Sequence, residues 1–261
     1  MLSAQVQVQA AAQLPVQVSW ARLGDAHEGL LNLLDPVERG RHDATVDPAD
    51  RARFLVGCAL SRLLLGELLD VPPAEVPLRR ACPRCGGPHG KVRLDARDSP
   101  GAPASYEFSV THSGALVGVA VCRGGQGAQV GLDVEDADGF VDVENAARTA
   151  LSGAELAALH ALPPAERQPA FLRVWTRKEA VLKALGVGLR VPPSGLEVSA
   201  PDVPPAVLSW PDRLAAPPEL AMADMVVDGV HPAAVAATGM GSGAVRVAQR
   251  DASALVAGYG R

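Results

Sequence analysis

Residues 171–189, FLRVWTRKEAVLKALGVGL, constrain this chain more than any other stretch. At 100° per residue, Phe171, Val174, Trp175, Val181, Leu182 and Leu185 fall in one arc, predicting an amphipathic helix that faces a core and stops at Gly186. Lys178 falls inside that arc. Trp175, Glu179 and Lys183 share an i, i+4, i+8 row on its edge, with Trp175 read as core packing. A cation in an apolar arc and a carboxylate on its rim are costly without partners. In isolation the segment also fits an ordinary Glu179–Lys183 surface pair, with Lys178 snorkelling to water. The sequence upstream weighs against that.

The chain has 261 residues, enough for one large domain or two small ones. Aromatic residues are only 3%, so Ala, Val and Leu must build the core. A net charge of −5 argues against a general nucleic-acid binder. One region is locally basic: Arg79, Arg80, Arg84, Lys91, Arg93 and Arg97 against the single acid Asp95, a patch suited to phosphate or an acidic partner. Four cysteines at this length are no disulfide framework. No signal peptide and no apolar run of membrane-spanning length is read, so the expectation is a cytoplasmic protein with reduced thiols.

Taken in order, residues 1–13 read as a loose tail and Val16, Val18 and Trp20 as a strand. Asp35-Pro36 with Glu38, and Asp47-Pro48 with Asp50, open two helices, the second reaching about Leu69 before Val71-Pro72-Pro73. That second helix carries Arg51, Arg53 and Arg62, which are either solvated or an anion grip. Cys82-x-x-Cys85 with His89 resembles half a zinc site without its second pair. Residues 106–121 read as two strands around a sharp turn at His112-Ser113-Gly114, and the glycines at 124–127 as a boundary. Val130 to Glu135 is a short strand that projects Asp133 and Glu135 to one face. Adjacent carboxylates repel unless a cation sits between them, and hard oxygen donors suit Mg²⁺. A helix follows over 141–150, then a capping box at Ser152 and Glu155. Beyond Pro192-Pro193, residues 221–227 and 233–237 are expected to form a hairpin, with 243–249 as its third strand.

Phe-x-x-x-His-Ser (108–113), Gly-x-Asp-x-Glu (131–135) and Trp-x-x-Lys-Glu-Ala-x-x-Lys-x-x-Gly-x-Gly-Leu (175–189) stand in that order. This set resembles the Sfp-type 4′-phosphopantetheinyl transferases, from about Val16 to Leu196. The resemblance implies an α+β fold of two similar halves, each a small antiparallel sheet packed with helices, with the active site at their junction. The implied halves are residues 1–128, with the coenzyme A-binding basic residues and His112, and 129–261, with the metal and catalytic residues. It implies that a serine of an apo acyl or peptidyl carrier protein attacks the β-phosphate of coenzyme A. The phosphopantetheine arm then moves to the serine and adenosine 3′,5′-bisphosphate leaves.

By the same resemblance, Asp133, Glu135 and Glu179 hold Mg²⁺. Glu179 is also the candidate base, although a carboxylate bound tightly to metal is a poor one and a metal-bound water is the alternative. Lys183 neutralises the departing phosphate, while Arg53, Lys91, His112 and Lys178 bind coenzyme A. Val92 after Gly90-Lys91, where the family usually has Pro, and Thr111, where Ser is commoner, depart from the pattern. The family serves fatty-acid, polyketide and nonribosomal peptide pathways. A monomer is expected, with neither nucleic acid nor membrane as partner. Of two rival readings, a Mg²⁺-dependent phosphohydrolase using the same three carboxylates usually shows more acids or a phosphate-stabilising loop, and a zinc-ribbon adaptor leaves the 131–135 and 175–189 patterns unexplained.

Overall fold

The computed structural model describes residues 16–80, 85–87, 90–95, 105–124, 128–211, 214, 216–217, 219–240 and 245–260. In chain order the elements are β1 (Val16–Arg22), α1 (Pro36–Ala44), α2 (Pro48–Leu69), β2 (Leu78–Arg80), β3 (Val92–Leu94), β4 (Ser105–Ser113), β5 (Leu116–Gly124) and β6 (Gln129–Val134). Then come α3 (Val143–Ala150), α4 (Gly153–Ala161), α5 (Pro164–Leu185), β7 (Glu197–Val198), β8 (Val207–Ser209), β9 (Leu220–Val227), β10 (His231–Thr238), β11 (Val247–Asp251) and α6 (Ser253–Ala257). The mixture is α+β, as the motifs imply. Among the described residues, no helix is long and apolar enough to cross a membrane.

Two sheets organise the molecule: one in the order β11-β1-β5-β4, the other β6-β10-β9. Strand alternation sends successive side chains to opposite faces. Val16, Val18 and Trp20 of β1 therefore meet Leu132, Val134, Val235 and Met225 of the other sheet in a shared apolar layer. Val117, Val119 and Val121 of β5 point the other way, under α2. Ala234 and Ala236 of β10 likewise pack under α5. Each sheet thus has one 22-residue helix on its outer face.

The helix ends follow local chemistry. The Asp35 side chain accepts from the Glu38 amide and Glu38 reciprocates, and Ser152 and Glu155 do the same at α4. Helix α5 begins at Pro164, seven residues before the predicted apolar arc, and closes on Gly186 at φ 66°.

Three expectations change. The third strand predicted near 243–249 is β11, which pairs in parallel with β1 rather than with the β9–β10 hairpin. The Trp20 indole donates to Gln249 at 3.0 Å, and Val256 of α6 is buried under α2, which together draw the chain end back to the first sheet. Arg62 is neither solvated nor an anion grip. It is buried and donates to Glu38 and Asp35 at 2.8 and 3.0 Å. The basic stretch does not form one patch: Arg79 pairs with Asp95, Arg93 turns to Gln129, and Arg80 and Lys91 line a cleft. Arg84, Arg97, and the Cys82 and His89 of the half zinc site lie outside the described residues.

Candidate active site

The site forms where β6 lies against α5. Gly131 makes this approach possible, because a Cβ there would stand 1.9 Å from the Ala180 carbonyl oxygen and 2.4 Å from the Ala184 nitrogen. Two and four residues on, Asp133 and Glu135 project on the same face, toward the helix. The Trp175, Glu179, Lys183 row of α5 meets them. Lys183 Nζ donates to Asp133 Oδ1 at 2.6 Å, and Trp175 Nε1 donates to Glu135 Oε1 at 2.8 Å. Trp175 stacks on Phe171 as well, so it packs in the core and also anchors a carboxylate.

Glu179 sits between these two contacts on the helix row. Its Oε1 and Asp133 Oδ2 are buried with no hydrogen-bond partner. Buried carboxylate oxygens are normally satisfied, because an unmet acceptor away from water costs about 1–3 kcal/mol. Burial raises the affinity of Glu179 for a proton, and the Asp133 charge raises it further. Glu135 is shifted upward for the same two reasons, and Asp133 by burial against the opposing pull of Lys183. Two of the three carboxylates thus carry an unmet, buried oxygen, and hard oxygen donors of this kind suit a divalent cation such as Mg²⁺. Asp136, Asp138 and His231 gather donor atoms within 4.8 Å of one another just beyond β6. That group is more exposed, and its His231 Nδ1 and Asp136 Oδ1 already accept the Ala137 and Asp138 amides.

Beside the carboxylates opens a cleft of about 620 Å³ lined by β4, α1 and α2 on one side and by the end of α5 and the turn after it on the other. Arg41, Arg53, Arg80, Lys91 and His112 come from the first half of the chain, Lys183 and Arg190 from the second. Arg53 is braced by Gly114 O at 2.7 Å and Asp50 at 2.5 Å. Lys91 reaches Val130 O at 2.9 Å, and burial lowers its pKa to about 8. Val92, the departure beside it, starts β3 and is buried under α2. His112 is pushed below the usual histidine range by burial, then by Lys183 and Arg53. Cys58 also lines the cleft, but burial pushes its thiol up to about 12, which removes it as a nucleophile.

Lys178 is the correction. It is fully buried, with Nζ donating to Ala150 O at 2.8 Å, Pro193 O at 3.0 Å and the Glu155 carboxylate. One residue is 100° of helix, so a row that points 179 and 183 at β6 turns 178 toward α3 and α4 instead. Lys178 serves the packing of the second half and touches no phosphate cleft. Lys178→Met should cost about 3–5 kcal/mol, since it strands the buried Glu155 charge. Coenzyme A affinity of the folded protein should be unchanged. Urea unfolding and calorimetric titration test the two halves of this statement.

Sequence reasoning missed Arg41, which no local pattern marks; it and Arg80 of the basic stretch both stack their guanidinium groups on Phe54 at the cleft wall. It also passed over Ser109 and Ser113, although hydroxyls at 109, 111 and 113 repeat at the strand period.

A family model described as the 4′-phosphopantetheinyl transferase superfamily matches residues 129–224, the span of β6, α5 and the strands that flank them. The 4′-phosphopantetheinyl transferase HetI of Nostoc sp. is 30% identical over 214 residues, 82% of this chain and 82% of that protein. A phosphopantetheinyl transferase of Thraustochytrium sp. is 31% identical over 151 residues, 54% of this chain and 48% of that protein. The likeness to the Nostoc protein runs through most of both chains, and with the matched second half it makes this chain a member of the 4′-phosphopantetheinyl transferase family.

Proposed function

We propose that this transferase moves the phosphopantetheine arm of coenzyme A onto a serine of an apo carrier protein in a Mg²⁺-dependent reaction that releases adenosine 3′,5′-bisphosphate. The observation that carries the reading is the pair of buried, unpartnered carboxylate oxygens on Asp133 and Glu179 beside a cleft lined by cations. Asp133, Glu135 and Glu179 would hold the metal, which when bound neutralises charge on the pyrophosphate under attack. Arg53, Lys91 and His112 bind the phosphates of coenzyme A. Lys183 binds the phosphate that leaves, moving from the Asp133 oxygen it holds without ligand. The serine Oγ forms a bond to the β-phosphorus, the bond from that phosphorus to the bridging oxygen breaks, and the electron pair leaves on the adenosine bisphosphate. Glu179 takes the serine proton at a carboxylate oxygen.

Intact mass tests this directly. The protein, Mg²⁺, coenzyme A and a panel of apo acyl and peptidyl carrier proteins are mixed. At least one carrier should gain one phosphopantetheine, and none should without Mg²⁺. No gain across the whole panel would refute the activity.

The Lys91 shift adds a pH dependence. A folded pKa of about 8 lies below the ordinary lysine value, so Lys91 is charged below about 8 and loses its charge as pH rises through it. Its burial therefore costs stability most below about 8, and that cost fades as pH climbs toward the unfolded lysine range. Phosphate binding needs the charged form. Coenzyme A affinity should weaken about three- to tenfold between pH 7.5 and 9.5, as a charge-assisted bond is lost. Calorimetric titration should find this slope flattened in Lys91→Met.

A further inference from the structure

Strands β4 and β6 are edge strands of different sheets, yet they lie side by side. Their hydrogen-bonded link is a row of hydroxyls. Ser109 Oγ accepts the Leu132 amide at 3.1 Å. Thr111 Oγ1 donates to Asp133 Oδ1 at 3.2 Å. Ser113 Oγ donates to Glu135 Oε2 at 2.9 Å and accepts the Asp136 amide at 3.0 Å. Both strands advance two residues per same-face side chain, so the contacts stay in phase along the joint.

We infer that Thr111 and Ser113 are positioning residues that aim the β6 carboxylates at a divalent cation and register them against the coenzyme A cleft. This rests on the reading of Asp133, Glu135 and Glu179 as a metal site. A hydroxyl has one proton and two lone pairs. At Thr111 a lone pair takes Lys183 Nζ at 3.1 Å, and at Ser113 one takes the Asp136 amide, so each proton is directed to the carboxylate. On Asp133 this gives Oδ1 two donors, Thr111 and Lys183, while Oδ2 stays bare and buried. One pinned oxygen fixes the direction of the other. Side chains Ala, Val or Cys cannot both accept and donate strongly at these positions.

His112 lies between the two hydroxyls in sequence, so its side chain leaves the opposite face of β4, and it lines the cleft with Arg53 and Lys183. Three consecutive residues therefore set the metal ligands on one side and a phosphate ligand on the other. A slip between the sheets would move one set relative to the other.

The test uses the full chain without carrier or coenzyme A, titrated with Mn²⁺ and followed by the paramagnetic resonance of the free ion. Thr111→Val and Ser113→Ala should each weaken Mn²⁺ binding about 10- to 100-fold, the usual effect of losing an outer partner of a metal ligand. Thr111→Ser and Ser113→Thr should restore binding to within about threefold. Affinity for coenzyme A in the metal-free protein should stay at the wild-type level in Ser113→Ala and Ser113→Thr, because Ser113 touches only Glu135 and the Asp136 amide and does not line the cleft. Wild-type Mn²⁺ affinity in folded Thr111→Val and Ser113→Ala would overturn the positioning role and leave the metal site standing. Loss of Mn²⁺ binding by the wild type itself would overturn both. Should the buried Thr111→Val fail to fold, the half-buried Ser113 position decides alone.

Discussion

Glu179→Gln should abolish transfer and, at the same time, make the metal-free protein more stable. Transfer should fall by about 10²–10⁴-fold, the range for loss of a positioned acid–base group. The stability change follows from the site without ligand. Glu179 Oε1 is buried with no donor, and the Asp133 charge stands close enough to raise its proton affinity. Replacing that carboxylate with a neutral amide removes both the desolvated charge and the repulsion. A gain of about 1–3 kcal/mol is expected, read as a rise of several degrees in Tm.

The pH dependence carries the same sign. Glu179, Glu135 and Asp133 all hold protons more tightly in the folded protein than in the unfolded chain. The metal-free fold is therefore least strained at acidic pH and loses stability as pH rises from the ordinary carboxylate range through the raised values. Glu179→Gln should flatten this loss, and Mg²⁺ should offset it in the wild type but much less in the variant. Thermal scans in chelator and in Mg²⁺ across pH 4–8 check it. A variant that is both inactive and less stable than the wild type in chelator would contradict the assignment of Glu179.

Among the described glycines, Gly131→Ala should be the most damaging single-methyl change. The added Cβ would meet the Ala180 carbonyl oxygen at 1.9 Å and the Ala184 nitrogen at 2.4 Å, both backbone atoms of α5. No side-chain rotation relieves a clash with helix backbone, so β6 and α5 must part. Overpacking of a core commonly costs about 1–3 kcal/mol, and a clash between two backbones belongs at or above that upper end. The same displacement draws Lys183 from Asp133 and Trp175 from Glu135. Unfolding in urea should show the stability loss, and Mn²⁺ titration of whatever remains folded should show weakened binding. A well-folded Gly131→Ala with wild-type Mn²⁺ affinity would mean that strand and helix have slack the geometry does not show.

The role of Gly131 shows what was legible and what was not. The Gly-x-Asp-x-Glu spacing was readable, and so was the row Trp175, Glu179, Lys183, because both follow from the periods of strand and helix. The reason for the glycine was not, since it depends on which helix β6 packs against. The capping boxes at Asp35–Glu38 and Ser152–Glu155 were also readable, because their partners lie three residues apart. By contrast the partner of β11 carries almost no signal: a strand is read there, but four of its five residues are exposed, and its pairing with β1 joins segments some 230 residues apart. Its placement rests on long-range contacts such as Trp20 with Gln249.

Charged residues divide along the same line. By itself the sequence established that Lys178 could not be buried without partners, and that Asp133 and Glu135 shared a face. Only the tertiary structure decided the pairings: Lys178 to Glu155 and two carbonyls, Arg62 to Glu38 and Asp35, Lys183 to Asp133 across 50 residues. Periodicity specifies the direction in which a side chain leaves its own helix or strand. It carries no information about which other element lies in that direction, and in a buried site that neighbour determines whether a charge binds ligand or holds the fold.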